Sequence, residues 1–206
     1  AGAEAPVVWD LAGSRRSTTR NILRLPIAWR RSFRRPPVDA AARIAAPIDA
    51  IELLKPARAR AVIDLAQAAL SSRCREVYPT SHANPREVYW CDLGEGIALA
   101  VIGALPGRRL CLEANYGYLL VSNGVPIGYG GVTALYRQAN TGINIFEPFR
   151  GAEAGFLWVE MLRVFATLFG ARRFIVNGYQ IGEGNPEAIA SGAFWFYYRL
   201  GFRQVG

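Results

Sequence analysis

Apolar residues at Val62, Leu65, Ala66, Ala69 and Leu70 recur at the i, i+3, i+4 spacing of a helical face, and Pro56 stands just ahead of them, so a helix is predicted over residues 57–72. Upstream, Ile48 to Leu54 reads as a strand, and the alanine-rich stretch Val38 to Pro47 as a short helix or a linker. The segment YPTSHANP, Tyr78 to Pro85, has the Pro, Ser and Asn content of a loop. Glu87 to Cys91 and Ile97 to Gly103 flank Leu93-Gly94-Glu95-Gly96 as a hairpin. Tyr116 to Val121 and Val125 to Leu135 flank Ser122-Asn123-Gly124, where Asn-Gly supplies the positive φ angles of a tight turn. A further strand is expected over Gly142 to Phe146.

From Ala154 to Phe169 only Glu160, Arg163 and Thr167 are polar, at spacings of three and four. A helix with one narrow stripe to water is predicted. Gly170 ends it and Phe174 to Val176 resumes as a strand, which makes a strand-helix-strand unit with a parallel crossover. A last helix is predicted from Asn185-Pro186-Glu187 to Leu200-Gly201, with Asn as cap, Pro in the first position and Glu at the positive end of the dipole. These elements describe an α/β domain with a mixed sheet over residues 48–206, preceded by a leader or linker over residues 1–47.

Composition narrows this further. With 206 residues, 51% apolar and 19% charged, the chain is neither collagen-like, coiled-coil nor wholly disordered. A chain of this length buries roughly 70% of its unfolded surface and needs no disulfide or metal to hold a core. Cys74, Cys91 and Cys111 are odd in number and widely spaced, and His82 is the only histidine, so no Cys/His zinc site is expected and no metal is called for. That cysteine usage suits a reducing, cytoplasmic compartment. The longest strongly apolar run, Ile97 to Leu105, is far short of the ~20 residues that cross a bilayer, and the start AGAEAPVVWD does not read as a secretory signal.

The net charge of +8 is unevenly placed. Residues 1–35 hold eight arginines against Glu4 and Asp10, leaving 16 basic and 14 acidic groups for the rest. Within that leader Ile22, Leu23, Leu25, Ile27, Trp29 and Phe33 interleave with Arg20, Arg24, Arg30, Arg31, Arg34 and Arg35. An anchor on anionic lipid or an arm along nucleic-acid phosphates has this composition, over residues 14–35; so does a solvated leader.

The chemistry centres on FEPFRGAEAGF, which lies between a strand and a helix, so its main-chain N–H groups and the helix start form an anion cradle. Arg150 adds charge, and Gly151 and Gly155 permit close approach. The segment lacks GK[ST] and is not GxGxxG; an ordinary strand-to-helix turn is the alternative. Glu113, Asn115, Tyr116, Asn140 and Asn144 are polar groups near strand ends that would suit an acceptor. His82 is a candidate base and Cys74 with His82 a remote candidate nucleophile pair.

Strand INI, then FEPFRGAEAG, a helix, strand FIV and a helix ending AFWFYYRLGF together resemble the GNAT superfamily of acyl-CoA-dependent N-acyltransferases. The family's Arg/Gln-x-x-Gly-x-Gly/Ala motif falls on Arg150 to Gly155, and its tyrosine before Leu-Gly-Phe falls on Tyr197. The resemblance covers roughly residues 49–206. It implies a GNAT-like fold whose central sheet splays between the strands at Ile143 and Phe174. Acetyl-CoA or another acyl-CoA would lie along Ile143, Asn144 and Ile145, with its diphosphate on Arg150, Gly151, Ala152, Ala154 and Gly155, and with Asn185 nearby. Tyr197 would protonate the leaving thiolate, and an amine of a small molecule or protein would accept the acyl group.

Three departures from the family pattern stand out. Glu153 replaces the first motif glycine and puts a carboxylate beside the expected diphosphate; two such charges at ~4 Å repel by about 1 kcal/mol even in water. Either acyl-CoA binding is lost or altered, or the side chain turns to solvent. Ala190 stands where the family often has Asn, with Asn177 and Asn185 near. The last strand would span at most Phe202 to Val205, an open edge that a second copy could complete as a homodimer. Two alternatives follow: an acyl carrier protein as donor, whose acidic surface suits the leader, and a non-catalytic domain binding membrane or nucleic acid through residues 14–35.

Overall fold

The computed structural model describes residues 22–151 and 153–204. After a short helix α1 (Ala40–Ala45), strand β1 (Ile51–Leu53) leads into α2 (Pro56–Ser71) and a one-turn helix α3 (Tyr78–Ser81). Five strands follow, β2 (Ala83–Gly94), β3 (Ile97–Ala104), β4 (Ala114–Ser122), β5 (Val125–Leu135) and β6 (Gln138–Thr141), then the two-residue β7 (Asn144–Ile145). Helix α4 (Ala154–Phe169) returns the chain to β8 (Arg173–Ile175), and three short helices close it: α5 (Gly178–Ile181), α6 (Pro186–Ala190) and α7 (Ala193–Arg199).

The strands form one open, mixed sheet in the order β1-β2-β3-β4-β5-β6-β8, with β7 paired to β5. All pairings are antiparallel except β6 with β8. The all-apolar run Ile97 to Ala104 becomes the fully buried β3, because both faces of the sheet are covered. Ile97, Leu99 and Val101 point into a core under α4, whereas Ala98, Ala100 and Ile102 point into a second core under α2. At about 25 cal/mol per Å² of apolar surface removed from water, such two-sided burial dominates the stability.

The Asn123-Gly124 turn forms as predicted, with φ of 49° and 79° and Ser122 opposite Val125. Glycine is needed at 124 twice over: a Cβ there would come within 1.9 Å of the Leu23 carbonyl oxygen, which passes over the turn. The described part of the N-terminal segment crosses the sheet here as an extended strap. Leu23 N–H donates to Gly124 O (3.1 Å), Ala28 exchanges hydrogen bonds with the Asn123 amide, and Leu23 and Leu25 pack on the α2-side core.

Several expectations require correction. Tyr78 to Ser81 is a helical turn with Pro79 in its first positions, and the strand after it starts at Ala83 instead of Glu87. The strand expected over Gly142 to Phe146 shrinks to the two-residue β7, and a separate strand β6 precedes it from Gln138, after a turn where Tyr136 takes φ 52°. The last helix is broken at Ser191-Gly192, where Gly192 takes φ 69°, into α6 and α7. Finally, the stripe on α4 does not face water throughout: Glu160 is only 2% exposed, because α1 covers it and Arg43 grips both its oxygens (2.6 and 3.1 Å). Arg163 joins Glu160 at 3.3 Å and donates to the carbonyls of Ala46 and Pro47, tying α1 down.

Candidate active site

A cleft of about 670 Å³ opens where the chain after β6 keeps β5 as a neighbour but loses β8. Residues 138–140 pair in parallel with 173–175 on β8, but Asn144 and Ile145 pair only with Tyr129 and Gly128 on β5. Between them Gly142 and Ile143 belong to neither ladder, and beyond Ile175 the chain turns off into α5, capped by Asn177. The two parallel segments therefore part after three pairs, with the cleft between β7 on one side and α5 to α7 on the other.

Tyr197 stands at the inner end of this cleft. Its ring is 4% exposed and packs edge-on to Trp158, Phe196 and Phe202, so the helix face AFWFYYR buries this one aromatic and leaves Phe194, Trp195 and Tyr198 exposed. Its hydroxyl oxygen accepts from the Ile143 N–H at 3.5 Å, a long contact. Burial pushes the phenol up to about 12, with the Ile143 N–H acting the other way, so it is protonated at neutral pH. The neighbouring Gly142 carbonyl is held by the hydroxyl of Tyr118, a fully buried ring on β4.

Charge gathers at the mouth. Arg150 donates from Nε to the Ile145 carbonyl (3.3 Å) and from Nη2 to Glu187 (3.0 Å), with the Arg150 and Glu187 side chains both exposed to solvent. Arg73, from the turn after α2, lays its guanidinium over the Phe146 ring at 3.9 Å. Arg75 lines the same wall beside Tyr129, whose phenol is raised by burial and lowered by Arg75 and Arg150.

Of the expected cofactor residues, Ile143, Asn144, Ile145, Arg150, Gly151, Ala154 and Asn185 all line the cleft, as does Tyr197. Asn185 is at the same time the cap of α6, accepting from Ala188 N–H and donating to the Tyr179 carbonyl. Ala152 lies outside the described residues. Gly155 does not line the cleft; a Cβ on it would meet Pro36 of the strap at 3.1 Å.

Glu153 does not turn to solvent. It occupies the cap position of α4 without capping it; its carboxylate pairs with Arg30 and accepts from the Arg34 N–H at 3.0 Å, with 13% of the side chain exposed. Arg34 extends the grip, donating to the Leu93 carbonyl (2.9 Å) and lying over the Phe156 ring at 4.1 Å. The entry to α4 is thus divided between Gly151 and Ala154, which meet the cleft, and Glu153 and Gly155, which meet the strap.

The acceptor candidates scatter. Asn144 lies in the cleft, but Tyr116 donates to Glu87 (2.6 Å) and stacks near Phe169, and His82 packs its ring against Tyr78. No hydrogen bond joins Cys74 to His82 among the described residues, nor do these hold a cluster of three or more metal-ligating side chains. Tyr129, Tyr179, Gln180, Phe196 and the pair Arg73 and Arg75 are cleft residues that sequence reasoning missed. Only the alternating Arg-Cys-Arg after α2 offered a signal.

The fold and cleft define an α/β protein with an open mixed sheet whose one parallel pairing ends after three residue pairs. No protein-family profile matches the chain, and no curated protein matches it. No helix among the described residues is long and apolar enough to cross a membrane.

Proposed function

We propose that the chain is an N-acyltransferase of the GNAT type, moving an acyl group from acyl-CoA to an amine, with Tyr197 as general acid. The observation that carries this reading is the meeting of the Tyr197 hydroxyl and the Ile143 N–H inside a cleft that opens where parallel strands part. An amine attacking a thioester carbonyl builds negative charge on oxygen, and a main-chain N–H outside any ladder is placed to stabilise it. As the carbon–sulfur bond breaks, the thiolate takes the phenol proton, and the proton shed by the attacking amine restores the phenol. Arg150 and the main chain at Gly151 and Ala154 supply the diphosphate end of the cleft.

The pairing of Glu153 with Arg30 bears on the donor. A carboxylate matched by a guanidinium and turned to the strap exerts little repulsion in the cleft. That removes the main reason to prefer an acyl carrier protein over acyl-CoA as donor.

Acetyl-CoA and longer acyl-CoAs are expected to raise the melting temperature of the full chain at millimolar concentration, and a panel of amines to release free CoA thiol. Tyr197→Phe keeps the ring packing and is expected to lower kcat by about 100-fold, within the usual range for a general acid, while leaving the thermal shift in place. Absence of any shift with every acyl-CoA refutes the proposal.

A further inference from the structure

The strap carries two faces, and the sheet accounts for only one of them. Along residues 22–38 the half-buried positions are Leu23, Leu25, Ala28, Arg30, Arg34, Pro36 and Pro37, the first five anchored to the body by the contacts described above. The positions between them point outward. Ile27 is 67% exposed, Trp29 92%, Phe33 71% and Val38 fully exposed, all within twelve residues. Single exposed apolar residues are ordinary on a protein surface, but a run of large ones on a segment fixed by its inner side is not. Interleaved with them are Arg24, Arg31 and Arg35, all exposed and without an ion pair or hydrogen bond among the described residues. No acidic side chain occurs between Arg15 and Asp39.

We infer that this outer face of the strap docks on an anionic lipid bilayer, with Ile27, Trp29, Phe33 and Val38 entering the headgroup boundary and Arg24, Arg31 and Arg35 meeting lipid phosphates and carboxylates. Charge complementarity selects an anionic surface. The apolar set selects lipid over nucleic acid: Ile27 and Val38 have no flat face to stack on a base, whereas aliphatic and aromatic side chains both suit the bilayer interface, where Trp is favoured. Inner anchoring by Arg30 and Arg34 fixes which side chains face out, so docking requires little further ordering of the strap. This inference is independent of acyl transfer.

The test is co-sedimentation of the full chain with vesicles of phosphatidylcholine containing about 30% phosphatidylserine, against pure phosphatidylcholine, at low and high salt. Binding to the anionic vesicles alone, weakened by salt, is expected. Each outward arginine contributes about fivefold to partitioning, so Arg31→Gln with Arg35→Gln lowers it about 25-fold. Trp29→Ala with Phe33→Ala is expected to lower it at least about tenfold, with the melting temperature unchanged because both rings are exposed. No sedimentation with anionic vesicles overturns the inference. So does binding indifferent to the Trp29 and Phe33 changes, and so does tighter binding to a single-stranded oligonucleotide that survives them.

Discussion

Glu153→Ala isolates what the strap contributes. The substitution removes a side chain that is 13% exposed from a partner, Arg30, that is 19% exposed, and it also removes the acceptor of the Arg34 N–H. Charge-assisted hydrogen bonds contribute roughly 1.5–3 kcal/mol each, and Arg30 is left half-enclosed without its counter-charge, so a loss of about 2–4 kcal/mol is expected for holding residues 28–36 in place. In opening equilibria that is a factor of about 30 to several hundred. Limited trypsin digestion reads it directly, because Arg30, Arg31 and Arg34, none followed by proline, all lie in the affected stretch. Cleavage there is expected to accelerate at least about tenfold when reclosing is fast relative to cutting. Leu23 and Leu25 belong to the α2-side core, so the melting temperature is expected to fall as well, by about 2–4 °C for each kcal/mol that reaches the cooperative unit. An unchanged cleavage rate in the variant refutes the argument that Glu153 holds the strap.

Three further outcomes are expected. Arg43→Ala leaves Glu160, 2% exposed, with only Arg163 beside it, and a destabilisation of about 3 kcal/mol is expected in urea unfolding; a change under ~0.5 kcal/mol contradicts the α1 contact. The Tyr197 phenol is raised by burial from 10.0 to about 12, so its share of stability is complete below pH ~10 and is lost as pH rises toward about 12; unfolding measured across that window is expected to be less steep in Tyr197→Phe. Cys91 is buried and its thiol is pushed up to about 11, whereas Cys74 and Cys111 are exposed, so a disulfide thiol reagent is expected to titrate two thiols in the folded protein and the third only on unfolding.

How far the sequence disclosed this molecule varied with the range of the interaction. The Asn123-Gly124 turn and helix Ala154–Phe169 were legible because neighbouring residues determine them: a positive-φ pair in the first case, an apolar run closed by Gly170 in the second. The break at Gly142-Ile143 was not, since it arises where β8 ends as a neighbour while β5 continues as one, and that leaves no local mark. Glu160 was misread for the same reason. Its spacing on α4 resembles a solvent stripe, and only the return of Arg43 from 117 residues away turns it into a buried ion pair. At the cleft, Arg150, Gly151, Ala154 and Tyr197 were expected from motif order and line it, Gly155 was expected and does not, and Arg73 and Tyr129 arrive from elements with no motif at all.

The divided strand leaves a debt in the main chain that two phenols settle. Where residues 142 and 143 drop out of both ladders, one carbonyl and one amide lose the neighbours a regular sheet would have given them, and oxygens from Tyr118 and Tyr197 stand in. The gap is therefore propped by tyrosines on opposite sides, one rooted in the sheet and one in the final helix. Shortening either prop removes a side-chain partner from a main-chain group at the edge of the cleft, so the same two hydroxyls meet the chain on both residues of the interruption.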